Sequence, residues 1–246
     1  MQFKNKVVLV TGGSSGLGLA IAEAFVRKGA SLIITGRRQA QLDDAVKTLG
    51  ENVLAVRADI SNPTELAALF SRINEVHGHI DVLIANAGMG EIETLGSITE
   101  ASFDRMFATN VKGTTFSVQG ALPLMNEGGS IVVIGSTSSI NPGAGMSVYG
   151  ATKAALRALV RSWVLDIKGS GVRINLLSPG PVDTPSLRNV LGENAQQVVD
   201  ALSEKSTLGR IGQVDEIGAA ALFLASDASS YVNGAELFAD GGASQV

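Results

Sequence analysis

The sequence predicts a doubly wound α/β domain, a parallel sheet of about seven strands covered by helices on both faces. Three observations lead there. Short apolar, β-branched runs alternate along the chain with longer stretches of helical periodicity. Glycines follow the first run in a spacing that opens straight into a helix. Finally, no internal repeat, low-complexity segment or Pro/Gly/Ser-rich linker divides the 246 residues, whose 45% hydrophobic content suits one core.

The strand candidates, in order, are "KVVLVT", "SLIITG", "NVLAVRA", "DVLIAN", "SIVVIGS", "VRINLLS" and "AELFAD". Between them "LGLAIAEAFVRKG", "PTELAALFSRINEVHG" and "KAALRALVRSWVLDIKG" carry apolar residues at three- and four-residue intervals and end on glycine. The region from about 185 to 208 breaks the rhythm. It holds two helix-like patches, "SLRNVLG" and "AQQVVDALSE", with no strand between them, and is the expected lid of a single domain spanning 1–246.

Composition removes several function classes. Net charge is −4, and the basic residues are scattered, which argues against a nucleic-acid partner or an anionic membrane surface. There is no cysteine, so disulfides and thiolate metal sites are out, and a reducing compartment is compatible. The opening "MQFKNKVVLVTGG" is too short in its apolar part to span a membrane, and the expected location is the cytoplasm. His77 and His79 in "VHGHID" precede the fourth strand, away from the expected site, and no metal is assigned.

In an open parallel sheet the ligand sits outside the carboxyl ends of the strands, where strand order reverses. After the first strand comes "TGGSSGLG", running from Gly12 through Ser14, Ser15, Gly16 and Leu17 to Gly18. Small residues let the backbone approach a pyrophosphate, and the helix N-terminus offers it unpaired N–H groups. The second strand ends "ITGRR", where a dinucleotide fold reads the adenosine ribose with an acid for a 2′-hydroxyl or an arginine for a 2′-phosphate. Gly36 leaves the acidic position empty and Arg37 and Arg38 supply planar, permanently charged guanidinium groups, so NADP(H) is expected over NAD(H).

Near the middle stands "SVYGATKAAL", with Tyr149 four residues before Lys153 and so on the same helix face. A phenol of pKa near 10 needs about 4 kcal/mol of help to exchange a proton readily at neutral pH. One ammonium at about 4.5 Å, in an effective dielectric near 20, supplies roughly 3.7 kcal/mol. Ser136 ends the fifth strand at the sheet's carboxyl edge, where its hydroxyl can donate to a substrate oxygen while Tyr149 exchanges the proton.

With these motifs in order the sequence resembles the short-chain dehydrogenase/reductase family over essentially its whole length. The resemblance rests on "TGGSSGLG", "ADI" with Asp59, "ANAG", "TNVKG" with Asn110, Ser136 ahead of "YGATK", and "SPGPVDTP". It implies a Rossmann-like fold in which Tyr149 is the proton donor or acceptor and Ser136 polarises the substrate oxygen. Lys153 would hold the nicotinamide ribose and lower the tyrosine pKa, and Asn110 would anchor a water linking Lys153 to solvent. Asp59 and Ile60 would lie at the adenine, Asn86, Ala87 and Gly88 along the cofactor, and Pro179, Gly180, Val182 and Thr184 at the nicotinamide end. It also implies a homotetramer.

The expected activity is hydride transfer between NADP(H) and a ketone or secondary alcohol. The alternatives are a 3-oxoacyl-acyl-carrier-protein reductase and a non-catalytic NADP-binding sensor. The first needs cations at the entrance for an acidic carrier, but "LMNEGGS" ahead of the fifth strand has Glu127 and no Arg or Lys. Lys168 alone serves the loop ahead of the sixth. Side chains such as Met89, Met146 and Pro181 could line the substrate pocket.

Overall fold

A computed structural model describes residues 2–184, 187–188, 192 and 195–246. The first strand, β1 (Val7–Thr11), is buried at every position, as expected of a strand covered on both faces. It leads into α1 (Gly16–Arg27), β2 (Ser31–Gly36), α2 (Gln39–Leu49), β3 (Val53–Arg57), α3 (Pro63–His77) and β4 (Ile80–Ala85). Next come α4 (Glu100–Phe107), a π-helical turn (Ala108–Gly113), α5 (Thr114–Ala121), β5 (Met125–Ile134) and α6 (Ser147–Asp166). The chain continues with β6 (Arg173–Pro179), α7 (Ala195–Lys205), α8 (Val214–Ala225) and β7 (Glu236–Ala239).

The seven strands lie in the order β3-β2-β1-β4-β5-β6-β7, and every pairing is parallel. The order reverses between β1 and β4, so the turns that follow those two strands flank the switch point at the carboxyl edge. Alternate residues of each strand feed two cores. Val8, Val10, Leu32, Ile34, Val82 and Ile84 pack on one face with Ile21, Phe25 and Leu224, from α1 and α8. Val7, Leu9, Ile33, Leu83, Ile131 and Ile174 pack on the other with Leu69, Val118, Leu156 and Val160, from α3, α5 and α6.

Local chemistry fixes the helix ends. Asn62 caps α3 by accepting from the Thr64 N–H at 3.0 Å, Pro63 occupies the first turn, and Gly78, left-handed at φ 72°, closes it. "TNVKG" departs from a continuous helix. Its π turn carries Asn110, and such turns recur at functional sites.

All seven expected strands are present, and α7 matches "AQQVVDALSE". The other lid patch, "SLRNVLG", falls largely outside the described residues, as does Pro185 at the lid's start. Among the described residues no helix is long and apolar enough to cross a membrane, and no cluster of potential ligands could hold a metal ion. His77 and His79 are half-buried at the amino end of β4, where the His79 Nε2 lies 3.2 Å from Asp81.

Candidate active site

The glycine turn is built by close approach. Gly16 begins α1 at φ 54°, a left-handed value that disfavours other residues, and a Cβ there would meet nothing within 4 Å. A Cβ on Gly18 would run into the Gly12 carbonyl oxygen and the Asn86 amide nitrogen. Ser15, the N-cap, makes no side-chain cap bond and the first turn holds no acid, so the α1 N-terminus keeps its donors and partial positive charge. Ser14 is half-buried and Leu17 packs against the core.

Thr11 and Asn86 lock this turn to the end of β4. The Asn86 and Ala87 N–H groups both donate to Thr11 Oγ1 at 3.0 Å. Asn86 Nδ2 donates to the carbonyls of Thr11, at 3.0 Å, and Gly12, at 3.2 Å. Thr11 was not singled out by the sequence, because its partner lies 75 residues away.

At the β2 terminus Arg37 and Arg38 are exposed and, among the described residues, make no ion pair. A third exposed arginine joins them, since Arg57 pairs in register with Gly36. Only the sheet register brings it there. On the next turn Asp59 accepts from the Ser61 N–H at 2.9 Å and the Ser61 hydroxyl at 2.7 Å. Ile60 is buried, and a Cβ on Gly113 of the π turn would come within 2.8 Å of its side chain.

Ser136, Tyr149, Lys153 and Asn110 converge beside the ends of β4 and β5. Ser136 Oγ accepts from the Ser138 N–H at 3.1 Å, which leaves its own proton free to donate. Lys153 is 5% exposed, with Nζ 2.8 Å from the Ile134 carbonyl and 5.7 Å from the Tyr149 ring centroid. Asn110 is fully buried. Its Oδ1 accepts from the Met89 N–H at 2.8 Å, and its Nδ2 donates to the Met89 carbonyl at 2.7 Å and to Thr152 Oγ1 at 3.0 Å. Gly88 sits between, where a Cβ would lie 3.3 Å from Asn110 Oδ1 and 3.6 Å from Lys153 Nζ.

The electrostatics depart from what spacing alone implies. Burial pushes the Tyr149 phenol above its ordinary pKa, and the Ser136 hydroxyl within hydrogen-bond reach pulls the other way. The nearby ammonium is itself weakened, because burial lowers Lys153 to about 8. Holding that charge inside at pH 7 costs the fold about 3 kcal/mol relative to the unfolded chain.

A stability prediction follows from its sign. The folded pKa is depressed, so the penalty is full below about 8 and fades as pH rises toward the ordinary lysine value. Allowing for the lost bond to Ile134, Lys153→Met is expected to stabilise the cofactor-free protein by roughly 1–3 kcal/mol at pH 7. The gain shrinks above pH 9. Denaturant unfolding at the two pH values checks this, and a variant less stable than the parent at pH 7 would refute it.

Beyond β6, Pro179 pairs with Ala239, and the Gly180 N–H donates to the Ala239 carbonyl at 3.0 Å, with Gly180 packed on Asp240. Val182 is buried and bridges to Gly212, while Thr184 Oγ1 accepts from the Leu187 N–H at 3.1 Å. This segment lies at the same carboxyl edge as the other expected cofactor residues.

Known proteins share this architecture. A family model described as "Enoyl-(Acyl carrier protein) reductase" matches residues 12–244. Oxidoreductase asL5 of Sarocladium schorii is 42% identical over 100% of this chain and 98% of its own. The meso-2,3-butanediol dehydrogenase of Serratia marcescens is 35% identical over 99% of this chain and 96% of its own. Among solved structures, a short-chain dehydrogenase/reductase of the glucose/ribitol dehydrogenase type from Brucella melitensis superposes with a TM-score of 0.93. It is 29% identical and covers 98% of both chains. With its fold, its strand-end turns and its full-length relatives in agreement, the chain belongs to the short-chain dehydrogenase/reductase family of oxidoreductases, which use nicotinamide cofactors.

Proposed function

We propose that the protein is an NADPH-dependent reductase of ketones, running in reverse as a secondary-alcohol dehydrogenase. The observation that carries this is the convergence of the Ser136 hydroxyl, the Tyr149 phenol and the buried Lys153 ammonium beside the glycine turn. The cradle of Gly16, Gly18 and the open α1 N-terminus fits a pyrophosphate, and the exposed Arg37 and Arg38 fit a 2′-phosphate. The nicotinamide supplies the hydride, and the protein's part is to bind, orient and move a proton.

In this reading Ser136 turns its O–H from the Tyr149 phenol to the carbonyl oxygen, which draws charge toward that oxygen as the bond is reduced. Tyr149 gives its proton to the same oxygen. Its raised pKa keeps the phenol protonated at neutral pH, the form that gives a proton in reduction, and alcohol oxidation, which needs the deprotonated form, speeds up as pH rises. Lys153 holds the ribose. Asn110 keeps the wall beside Tyr149 in place through Met89, and with its amide hydrogens committed to Met89 and Thr152, a water relay would use other atoms.

The test is loss of reduced-nicotinamide absorbance with NADPH or NADH across ketones, diketones, α-hydroxyketones and acyl thioesters. The diketones and hydroxyketones are included because one relative is named for a butanediol. Steady turnover of a ketone supports the proposal. Turnover confined to acyl thioesters favours an acyl-carrier-protein reductase, and tight NADPH binding without turnover across the panel favours a sensor.

A homotetramer belongs to the same proposal. Leu156 and Val160 are each 1% exposed, spent on the chain's own sheet. Further along the same helix, Trp163 of α6 and Ile167 at its end line a groove with Val118 and Leu122, an apolar strip between α5 and α6. A second copy covers this face. Sedimentation at micromolar concentration is expected to give four chains per particle, and the mass of one chain would refute assembly.

A further inference from the structure

Gly90 has no backbone reason to be glycine, since it is absent from the residues of positive φ. Its reason is a neighbour. A Cβ built on Gly90 would lie 3.1 Å from Cδ2, 3.4 Å from Cε2 and 3.6 Å from Cγ of Tyr149, so the bare backbone rests directly against the ring. The segment around it is pinned on both sides. On one side Asn110 grips both main-chain polar groups of Met89, and on the other the Glu93 N–H donates to the Gly145 carbonyl at 2.9 Å.

The same Asn110 amide also reaches the backbone of Tyr149. Its Nδ2 donates to Thr152 Oγ1 at 3.0 Å, and the Thr152 hydroxyl, fully buried, donates to the Tyr149 carbonyl at 2.7 Å. One buried side chain therefore ties together the wall under the ring and the helical turn that carries the ring. When two such supports are fixed, crowding at the wall is relieved by tilting the half-buried ring rather than by moving the wall.

We propose that Gly90 is a positioning residue for Tyr149: its side-chain-free backbone, clamped through Met89 by Asn110, sets the tilt of the ring and hence the phenol's distance from Ser136 and from a bound substrate oxygen. This rests on the reading of Tyr149 as the proton-exchanging group. A methyl at position 90 is tight by a few tenths of an ångström, and catalysis is steeply sensitive to such displacements.

The chain's only other tyrosine, Tyr231, is fully exposed, which permits a direct readout. In a Tyr231→Phe background, ultraviolet titration reports the Tyr149 phenol alone. Gly90→Ala and Gly90→Val are expected to raise its midpoint as the Ser136 hydroxyl loses its hold, with valine acting more strongly. The kcat for ketone reduction should fall about threefold to tenfold with alanine and about thirtyfold or more with valine, while NADPH affinity stays within about twofold. A midpoint that is unchanged or lower in Gly90→Ala overturns the proposal, as does a loss of kcat explained by a parallel loss of folded protein. Should the valine variant fail to fold, the alanine variant, which any non-glycine backbone tolerates, decides alone. Activity retained by Tyr149→Phe would sink the role given to Tyr149 but leave the titration result standing, so the two failures are distinguishable.

Discussion

Replacing Tyr149 with phenylalanine is expected to lower ketone turnover at least about a hundredfold, the low end for a general acid, and to leave NADPH affinity within about twofold. The variant keeps the ring against Gly90 and beside Lys153, so the wall, the ammonium and the glycine turn stay as they are. Only the O–H is lost. On the proposed mechanism Ser136 would still polarise the carbonyl, so some activity should survive. The loss should appear in kcat and kcat/KM alike, the pattern of an interaction made in the transition state. In the parent, alcohol oxidation should accelerate as pH rises toward the elevated phenol pKa, whereas the variant should lose that dependence. A variant reducing ketones at near the parent rate would show that another group supplies the proton.

Much of the fold was legible because its strands are covered on both faces and therefore read as unbroken apolar runs, β1 above all. The motifs were legible as strand ends, and a parallel sheet gathers its strand ends at one edge. What stayed hidden depends on approach between segments distant in the chain. Thr11 reads as the last residue of a strand until Asn86 is seen to hang from it, and Arg57 until the register sets it beside Gly36. Gly90 looks like any loop glycine until the Tyr149 ring is seen against it. Spacing placed Lys153 near Tyr149 but was silent on burial, which weakens the ammonium and raises the phenol together. Burial is a property of the packed site, so a residue pair alone overstates the help one gives the other.

The cofactor preference is expected to reverse when the charge at the β2 terminus is exchanged. In the parent, one charge-assisted Arg37 contact with a 2′-phosphate would contribute roughly 1.5–3 kcal/mol and should favour NADPH over NADH by about ten- to a hundredfold in kcat/KM. Gly36→Asp with Arg37→Ser supplies a carboxylate for the ribose hydroxyls and repels a phosphate. The new Cβ would lie 2.8 Å from Ser14 Oγ, a hydroxyl that can rotate away, so the glycine turn need not move. Arg57 complicates the exchange. As the register partner of residue 36 on a parallel strand it projects to the same face, where it would pair with the new aspartate and occupy part of its acceptor capacity. The double variant should therefore lose NADPH preference first, and adding Arg57→Ser should complete the swing to NADH. Measuring kcat/KM with both cofactors in the parent and the two variants separates these steps. Equal use of both cofactors by the parent would put Arg37 in solvent and end the phosphate reading of "ITGRR".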